Sequence, residues 1–445
     1  MHIAIVTPEF PPHTGGGILK YYAVLADALV AAGATVTVLV ATPFSAYPDY
    51  ETSSGVRVRF VPLADVERHT ARLTHLAPAP LLRRWLGASL AAADAVAALR
   101  PVVDVVEAVD FGLGYAALLC RADRPPVLVR MHGSLGQISE HEPTAPGMQL
   151  DTALSRTSEA QTLPYAERLV ALSPSNAAEW SARLGQDVDA MPPPLVLSAP
   201  ARPAPTPYSG LVAARIQTWK GPELLCRALA ALGARVPSDL TIAWAGRDTS
   251  TAPDGGSLSA WLGRAYPSIW GTRIVPIGPQ PPSVIETLRA SVRYVLAPSE
   301  WDTFNYTLVE SMADGAVTIG STGVGASYLC EPGINGFRFT VNDEAACGQA
   351  LLDAHTLDTT ARRAMGEAAR ATIARDLAPA TVAAQTLDTY RALPAPRGTR
   401  PGPWLRDFFD PSVHPDVDPT AFLETVSIRA LATHLRRRLA RKFAR

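Results

Sequence analysis

The two halves of this chain begin with the same alternation of apolar runs, loops and helical patterns. In each half an apolar run leads through a loop into a helical pattern, a glycine ends the helix, and a second apolar run follows. The four runs are Ile3–Val6, Val36–Val40, Leu211–Ala213 and Leu240–Ala245. A strand, a helix and another strand of these lengths predict a parallel β-sheet covered by helices. Two such beginnings predict an α/β protein with two separate, doubly wound, Rossmann-like domains.

The segment between the two halves has the composition of a linker. Residues 198–210, SAPARPAPTPYSG, are rich in Pro and poor in apolar side chains, which is typical of a semi-rigid connection. We therefore expect an N-terminal domain over residues 1–197 and a second domain over residues 211–375. We further expect a helix over 376–393 that returns to the N-terminal domain, and a C-terminal extension over 394–445.

Composition and charge exclude several classes of protein. The 445 residues suffice for two or three domains, and a hydrophobic fraction of 47% fits a globular protein with large cores. A formal net charge of −1 argues against a dedicated nucleic-acid-binding protein. The four cysteines have no Cys-x-x-Cys spacing, so we expect neither a disulfide framework nor a cysteine metal site. The N-terminus lacks the basic and long apolar regions of a signal peptide, so we expect a cytoplasmic protein.

The stretch Pro298–Gly336 contains polar groups suited to a sugar nucleotide. Asp302 and Glu310 flank the short run 304–307, FNYT, which looks like the start of a helix. The unpaired N–H groups and positive dipole end of a helix start can hold a phosphate, and carboxylates accept hydrogen bonds from hydroxyls. On one continuous helix the two carboxylates would lie roughly 12 Å apart, which is too far for the paired acids of a glycosidase.

Two cations lie in the loop after the first strand of the second half. Arg215 and Lys220 are five positions apart in this loop. Ligands bind at the carboxyl ends of parallel strands, so these side chains are placed to neutralise a diphosphate and stabilise it as it leaves. Each charge-assisted hydrogen bond of this kind contributes roughly 1.5–3 kcal/mol. A solvated surface pair is the alternative interpretation.

In their order along the chain, these features resemble the motifs of glycosyltransferase family four, the retaining enzymes of the GT-B fold. In that family a Pro-Ser precedes a Glu, seven residues and a second Glu, and an Arg and a Lys lie in the first loop of the C-terminal domain. A Gly-Gly pair and a His-Gly pair lie in the N-terminal domain. The residues that carry the resemblance are Gly15, Gly16, Gly17, His132, Gly133, Arg215, Lys220, Pro298, Ser299, Asp302, Phe304, Glu310, Ser311, Met312 and Ala313.

The resemblance implies two domains that face each other across a cleft, with a UDP- or GDP-sugar bound mainly by the C-terminal domain. It implies a diphosphate held by Arg215 and Lys220, ribose hydroxyls bound by Glu310, and a transferred sugar in contact with Asp302. His132 would lie beside the reacting carbon, and with Asp302, Lys220 and Arg215 it forms the expected catalytic set. The expected donor-binding residues are Arg215, Lys220, Gly246, Asp302, Phe304, Asn305, Tyr306, Thr307 and Glu310.

The expected acceptor-binding residues lie in the N-terminal half. By the resemblance, Gly16 and Gly17 let the first loop approach the substrates without Cβ atoms in the way, and His132 belongs to this side as well. A strand is predicted over Val102–Glu107, and the place of Glu107 at the end of that strand predicts a residue that lines the acceptor cleft.

The chain departs from the family pattern near the donor sugar. The first Glu of the family is Asp302 here, which is shorter by one C–C bond, or about 1.5 Å. The Gly that usually follows the family Phe is Asn305. These changes predict an altered sugar pocket that accepts an unusual or larger sugar.

The expected activity is transfer of a sugar, without a metal ion or a permanently bound cofactor, to a small hydroxyl- or thiol-bearing acceptor, as in natural-product biosynthesis. Three alternatives stay open: assembly of a lipid-linked or cell-surface glycan, epimerisation of a sugar nucleotide, and non-catalytic binding of one. Residues 428–445 predict a basic amphipathic helix, which fits either a membrane surface or packing on the protein body. The oligomeric state also stays open.

Overall fold

The computed structural model describes residues 1–13, 15–142, 148–197, 199, 201–396 and 428–443. Two β-sheets organise these residues. The strands of the first sheet are β1 (His2–Thr7), β2 (Thr35–Val40), β3 (Tyr50–Glu51), β4 (Arg57–Phe60), β5 (Val105–Val109), β6 (Val127–Met131), β7 (Arg168–Ala171) and β8 (Asp189–Ala190). The strands of the second sheet are β9 (Gly210–Ala213), β10 (Ile242–Ala245), β11 (Ile274–Gly278), β12 (Tyr294–Ala297), β13 (Thr318–Ser321) and β14 (Phe337–Phe339).

The helices of the described residues belong to the two domains and to the segment that follows them. Those of the first domain are α1 (Gly17–Ala31), α2 (Leu63–Arg72), α3 (Pro80–Ala98), α4 (Ala116–Leu119), α5 (Leu135–His141), α6 (Gln149–Thr162) and α7 (Pro174–Leu184). Those that follow the second domain's first strand are α8 (Pro222–Leu232), α9 (Leu258–Ala265), α10 (Pro282–Ser291), α11 (Tyr306–Ala313), α12 (Glu344–Thr356), α13 (Thr359–Asp376), α14 (Pro379–Arg391) and α15 (Ile428–Phe443).

The strand order places the first strand of each domain inside its sheet. The first sheet runs β3-β4-β2-β1-β5-β6-β7-β8, and the second runs β11-β10-β9-β12-β13-β14. Only β3 pairs antiparallel, with β4, among the strand pairs of the described residues. The chain reverses its direction of winding between β1 and β5 and between β9 and β12, where doubly wound sheets bind ligands. The prediction of two doubly wound, Rossmann-like domains is therefore confirmed.

The sequence accounts for the central strands and for the ends of several helices. All six residues of β1 are buried, as expected for a parallel strand covered on both faces. Helix α7 begins after Ser173, whose side chain accepts a hydrogen bond from Asn176 N, and it ends at Gly185 in the left-handed region.

One hydrophobic cluster joins parts of both domains. It contains Ile3 and Tyr21 of the first domain, Phe304 and Leu308 of the second, and Tyr390 of α14. Helix α14 therefore packs against the first domain, next to α1. Among the described residues, every helix falls short of the length or the apolar character that a bilayer-crossing segment needs.

Candidate functional site

A hollow of about 670 Å³ lies where the carboxyl ends of the central strands of the two sheets face each other. Both domains contribute to its wall. Four of the residues predicted to bind the donor line it: Arg215, Gly246, Thr307 and Glu310. The first domain contributes Gly15, Lys20, Leu195 and Val196 to this wall. The structure thus places one of the two predicted diphosphate contacts, Arg215, and the predicted ribose contact, Glu310, on one surface.

The second predicted cation lies outside this wall and pairs with the predicted sugar contact. Lys220 ends a short 3-10 turn, Thr218–Lys220, and its Nζ is 2.5 Å from Asp302 Oδ2. The same oxygen accepts a hydrogen bond of 2.9 Å from Asn305 Nδ2. The Lys220 ammonium also lies 3.9 Å from the centre of the Trp219 ring. Arg215 therefore lines the hollow, whereas Lys220 pairs with Asp302 outside that wall.

Helix α11 begins between the two predicted carboxylates, as the sequence predicts. Asn305 has a φ of 82° and its side-chain oxygen accepts a hydrogen bond from Leu308 N, so it is the N-cap. Among the non-glycine residues, Asn is several-fold enriched at positive φ, which fits its place where the family pattern has Gly. The hydroxyl of Thr307 donates to the carbonyl of Ala213, which ties the helix start to the end of β9.

Glu310 is held from both sides. Its Oε1 lies 2.5 Å from Nζ of Lys20, which reaches across from α1 in the first domain. Its Oε2 lies 2.9 Å from Arg289 of α10, and Arg289 also contacts Asp314 at 2.7 Å. Neither Lys20 nor Arg289 was predicted as a site residue from the sequence. The one available signal was that Lys20 is one of only three lysines in an Arg-rich chain.

His132 follows β6 and is fixed through its main chain. Its N–H donates to Asp110 Oδ1 at 2.8 Å, and its carbonyl accepts from Thr303 Oγ1, across the cleft, at 2.9 Å. Burial, together with the nearby charge of Arg130, lowers the pKa of His132 to about 3, so the imidazole is neutral near pH 7. A neutral imidazole can donate a hydrogen bond to a sugar hydroxyl or accept one from it, but it provides no positive charge beside the sugar.

Three of the predicted site residues serve packing. Phe304 is 1% exposed and belongs to the shared hydrophobic cluster, so it supports the helix start and does not line the hollow. Gly17 is the first residue of α1, and a Cβ there would lie 3.1 Å from the ring of Tyr306. Tyr306 itself packs against this glycine. Gly16 is exposed, and a Cβ at this position would have no heavy atom of the described residues within 4 Å.

The prediction that Glu107 lines the acceptor cleft is wrong in this structure. Glu107 is fully buried and forms an ion pair of 2.8 Å with Arg130, which is also fully buried. The hydroxyls of Tyr22 and Tyr390 donate to the same carboxylate at 3.0 and 2.7 Å. The residue follows the strand pattern but points into the core, because β5 is buried on both faces.

Comparisons with known families agree with the geometry of the cleft. Residues 16–194 match a family model described as a glycosyl transferase 4-like domain, and residues 208–356 match one described as glycosyl transferases group 1. Together the two matches cover most of the chain, one in each domain. No curated protein matches the sequence.

Several solved structures share the two-domain fold at low sequence identity. Sucrose-phosphate synthase from Thermosynechococcus elongatus superposes with a TM-score of 0.64 at 17% identity, covering 88% of this chain and 98% of the other. Trehalose-6-phosphate synthase OtsA gives 0.64 at 12% identity, covering 89% and 100%. Anabaena HepE in complex with UDP and glucose gives 0.58 at 17% identity, covering 88% and 100%. Since both domains match glycosyltransferase families, the chain belongs to the glycosyltransferases of the GT-B fold, in a family like family four.

Proposed function

We propose that the protein transfers a hexosyl group, with retention of the anomeric configuration, from a UDP- or GDP-sugar to a small hydroxyl- or thiol-bearing acceptor. The observation that carries the proposal is the convergence of Arg215, Thr307 and Glu310 on one hollow between the domains. The Anabaena neighbour was solved with UDP and glucose, which fits a sugar nucleotide in the same cleft. Because family four consists of retaining enzymes, we expect the anomeric configuration of the sugar to be retained.

Within this proposal, the diphosphate lies between Arg215 and the first turn of α11. The helix start contributes N–H groups and its dipole, and Arg215 contributes charge-assisted hydrogen bonds. Glu310, oriented by Arg289, accepts hydrogen bonds from the ribose hydroxyls. The cationic side chains of the site supply the positive charge that a metal ion would otherwise supply. The leaving phosphate accepts the proton of the acceptor hydroxyl or thiol.

At the sugar end, Asp302 has room for a further hydrogen-bond partner. In the present structure its carboxylate binds Lys220 and Asn305. A carboxylate has about four acceptor positions, so a sugar hydroxyl can join these contacts. The shorter side chain of Asp302 leaves about 1.5 Å more room than the family Glu, which fits the proposed unusual or larger sugar.

The test is turnover by the purified protein with UDP- and GDP-sugars and a panel of small alcohols, phenols and thiols. We expect transfer that falls at least tenfold in Arg215→Ala and Glu310→Gln, as loss of one charge-assisted contact predicts. Arg264→Ala is a matched control, because this Arg is 64% exposed and pairs with Asp254 on the surface. NMR of the product reports whether the anomeric configuration is retained.

The same assay separates the alternative functions. A new sugar nucleotide formed from the donor alone would indicate an epimerase. Thermal stabilisation by the donor, without transfer of the sugar to any acceptor of the panel, would indicate a binding protein. Full transfer by both variants would contradict the assignment of the site.

A membrane-bound acceptor is the second candidate, and helix α15 favours it. Ile428, Leu435 and Leu439 are 85%, 57% and 53% exposed. Residues 428–445 contain seven Arg or Lys and neither Asp nor Glu. A basic helix with exposed apolar side chains fits an anionic lipid surface.

Flotation of the full chain with vesicles tests this candidate. We expect recovery with phosphatidylserine-containing vesicles, less with phosphatidylcholine alone, and loss of binding in Leu435→Glu. Gln385→Glu, at an exposed position of α14, is the control for added charge. Equal recovery of all samples with both vesicle types would remove the candidate.

A further inference from the structure

Lys20 brings a cation from the first domain into the wall of the hollow. It lies in the first turn of α1, and it lines the hollow together with Arg215 of the second domain. About half of its side chain is exposed, so a ligand in the hollow can reach the ammonium. Among the described residues that line the hollow, Lys20, Arg215 and Arg289 are the only Lys or Arg side chains.

The ammonium of Lys20 has hydrogen-bond donors to spare. Within the described part of the chain, its one acceptor is Oε1 of Glu310, at 2.5 Å. A lysine ammonium carries three N–H donors. One N–H suffices for Glu310, so the other two can donate to a ligand while the pair with Glu310 remains in place.

Arg289 is already neutralised by its neighbours. It is buried, and it contacts Glu310 at 2.9 Å and Asp314 at 2.7 Å. One guanidinium thus faces two carboxylates within the second domain. We therefore expect Arg289 to orient Glu310 and not to bind an anionic ligand.

The other lysine of the site is also engaged. Lys220 is partly buried and pairs with Asp302 at 2.5 Å, and neither residue lines the hollow. Arg215, by contrast, is exposed and lines the hollow. Arg215 and Lys20 are therefore the two cations of the wall that a ligand can reach.

The charge of the wall favours the use of both cations. Three carboxylates and three cations line the hollow, so its formal charge is zero: Glu286, Glu310, Asp314, Lys20, Arg215 and Arg289. A nucleoside diphosphate brings two phosphates, each with at least one negative charge. Hydrogen bonds from a cation to a phosphate are the strong ones, and a neutral wall offsets this charge only when its free cations turn toward the phosphates.

We propose that Lys20 binds the diphosphate of the sugar nucleotide together with Arg215, and that it stabilises the diphosphate as it leaves. The inference rests on the proposed donor function and adds a residue of the first domain to the diphosphate site. It does not require Lys220 to leave Asp302.

The charge of Lys20 acts where negative charge grows during transfer. The bond between the anomeric carbon and the phosphate oxygen breaks, and its electron pair stays on the diphosphate. The oxygen or sulfur of the acceptor forms a bond to the same carbon, and its proton passes to the diphosphate. Lys20 stays protonated throughout and stabilises the developing charge by hydrogen bonds.

Removal of the ammonium tests the proposal. Lys20→Met keeps a long, flexible side chain and deletes the charge. We expect the affinity for UDP or GDP, whichever binds more tightly in calorimetry at low salt, to fall about tenfold, as loss of one charge-assisted hydrogen bond predicts. The affinity for uridine or guanosine, measured by ligand-observed NMR, should stay unchanged, because a nucleoside has no phosphate. Lys20→Arg should keep most of the affinity for the diphosphate, since a guanidinium also binds phosphate.

The pair with Glu310 allows a direct contact to be separated from an indirect one. In Glu310→Gln the position of residue 310 no longer depends on an ion pair with Lys20. If Lys20 contacts the diphosphate, Lys20→Met lowers the affinity for UDP or GDP about tenfold in the Glu310→Gln protein as well. If Lys20 acts only by orienting Glu310, the added change has no effect there, and the proposal is wrong.

Arg68→Met is the matched control for the loss of a positive charge. Arg68 is an exposed cation of the first domain that pairs with Asp65 on α2 at 2.8 Å, and it does not line the hollow. We expect this variant to bind UDP and GDP as the wild type does. A loss equal to that of Lys20→Met would attribute the effect to the net charge of the protein and would overturn the proposal.

The remaining outcomes separate this proposal from the proposed function. If Lys20→Met binds UDP and GDP as tightly as the wild type, or more tightly, then Lys20 only pairs with Glu310 and the proposal is wrong. An equal loss of affinity for nucleosides and nucleoside diphosphates would also contradict it, since the effect would not concern the phosphates. If the wild type binds neither nucleotides nor sugar nucleotides, the proposed function itself fails, and this proposal fails with it.

Discussion

Asp110 holds the main chain of His132, and this single side chain gives the candidate site a pH dependence. Its two oxygens accept from the N–H groups of His132 and Gly133 at 2.8 and 3.0 Å. Burial raises the pKa of Asp110 to about 7, although these N–H groups and that of Phe111 act in the opposite direction. The carboxyl therefore loses its proton as the pH rises through the neutral range, and the ionised form is the stronger acceptor.

We expect turnover to rise about fivefold between pH 6 and pH 8, because ionised Asp110 holds His132 more firmly. His132 itself should add no step in this range, since its pKa is lowered to about 3. The measurement is kcat against pH for the wild type and Asp110→Asn, in which the step near pH 7 should vanish. Asp65→Asn, at a surface pair with Arg68, is the control. A step that persists in Asp110→Asn would assign it to another group.

Single residues also show where sequence reasoning reached its limit. It predicted Arg215 and Glu310 from residue types at strand and helix ends, and both line one hollow. It could not predict Lys20 opposite Glu310, because the two lie 290 positions apart and meet only through the packing of two domains. The prediction for Glu107 failed because the strand end was misplaced: β5 spans Val105–Val109, so Glu107 lies in the middle of a buried strand and not at its carboxyl end.

At the scale of elements, the sequence predicted the presence of a strand better than its first and last residues. The sequence predicts a strand over 102–107, but β5 spans Val105–Val109. Val102 is 72% exposed and lies outside the strand. The side chain of Asp104 accepts a hydrogen bond from His2 N, so this segment holds the first residue of β1 in place. The apolar composition of this segment predicted that it contains a strand. The first and last residues of β5 depend instead on its pairing register with β1.

Helix α14 is held to the first domain by one buried hydrogen bond as well as by apolar packing. The hydroxyl of Tyr390 donates to Glu107 at 2.7 Å, beside the Glu107–Arg130 ion pair. We expect Tyr390→Phe to lower the free energy of unfolding by about 1–3 kcal/mol, because a buried charged acceptor loses a donor. Nucleotide affinity should not change, since the pair is remote from the hollow.

Urea unfolding and calorimetry with UDP and GDP provide these two measurements. Tyr328→Phe, at a residue that is 40% exposed, is the matched control and should leave stability within about 0.5 kcal/mol. Wild-type stability in Tyr390→Phe would mean that the contact with Glu107 contributes nothing to the position of α14.

At the scale of the whole molecule, the two domains are joined by a shared hydrophobic cluster and by polar contacts across the cleft. The polar contacts include the Thr303 hydroxyl to the carbonyl of His132 and the Ser173 hydroxyl to the carbonyl of Thr303, at 2.9 and 2.8 Å. The doubly wound pattern predicted each domain but not these contacts, because they depend on how one domain is oriented against the other.

Glu310 has one cationic partner in each domain. The ion pair between the domains can therefore be measured separately from the ion pair within the second domain. Its two cationic partners differ in exposure: Lys20, from the first domain, is 51% exposed, whereas Arg289, from the second, is 9% exposed. Water and salt screen the Lys20 pair, so Lys20→Met should cost at most about 1 kcal/mol of stability. Arg289→Met removes a buried partner of both Glu310 and Asp314 and should cost about 3 kcal/mol.

A double-mutant cycle of Lys20→Met with Glu310→Gln, followed by chemical unfolding, measures the interdomain pair. The coupling energy should be below about 1 kcal/mol at 50 mM salt and close to zero at 1 M, where the screening length is about 3 Å. The loss in Arg289→Met should change little over the same range, because a buried pair is screened much less. A salt-independent coupling of several kcal/mol for Lys20 would instead mean that this pair is closed to water and fixes the relative position of the domains.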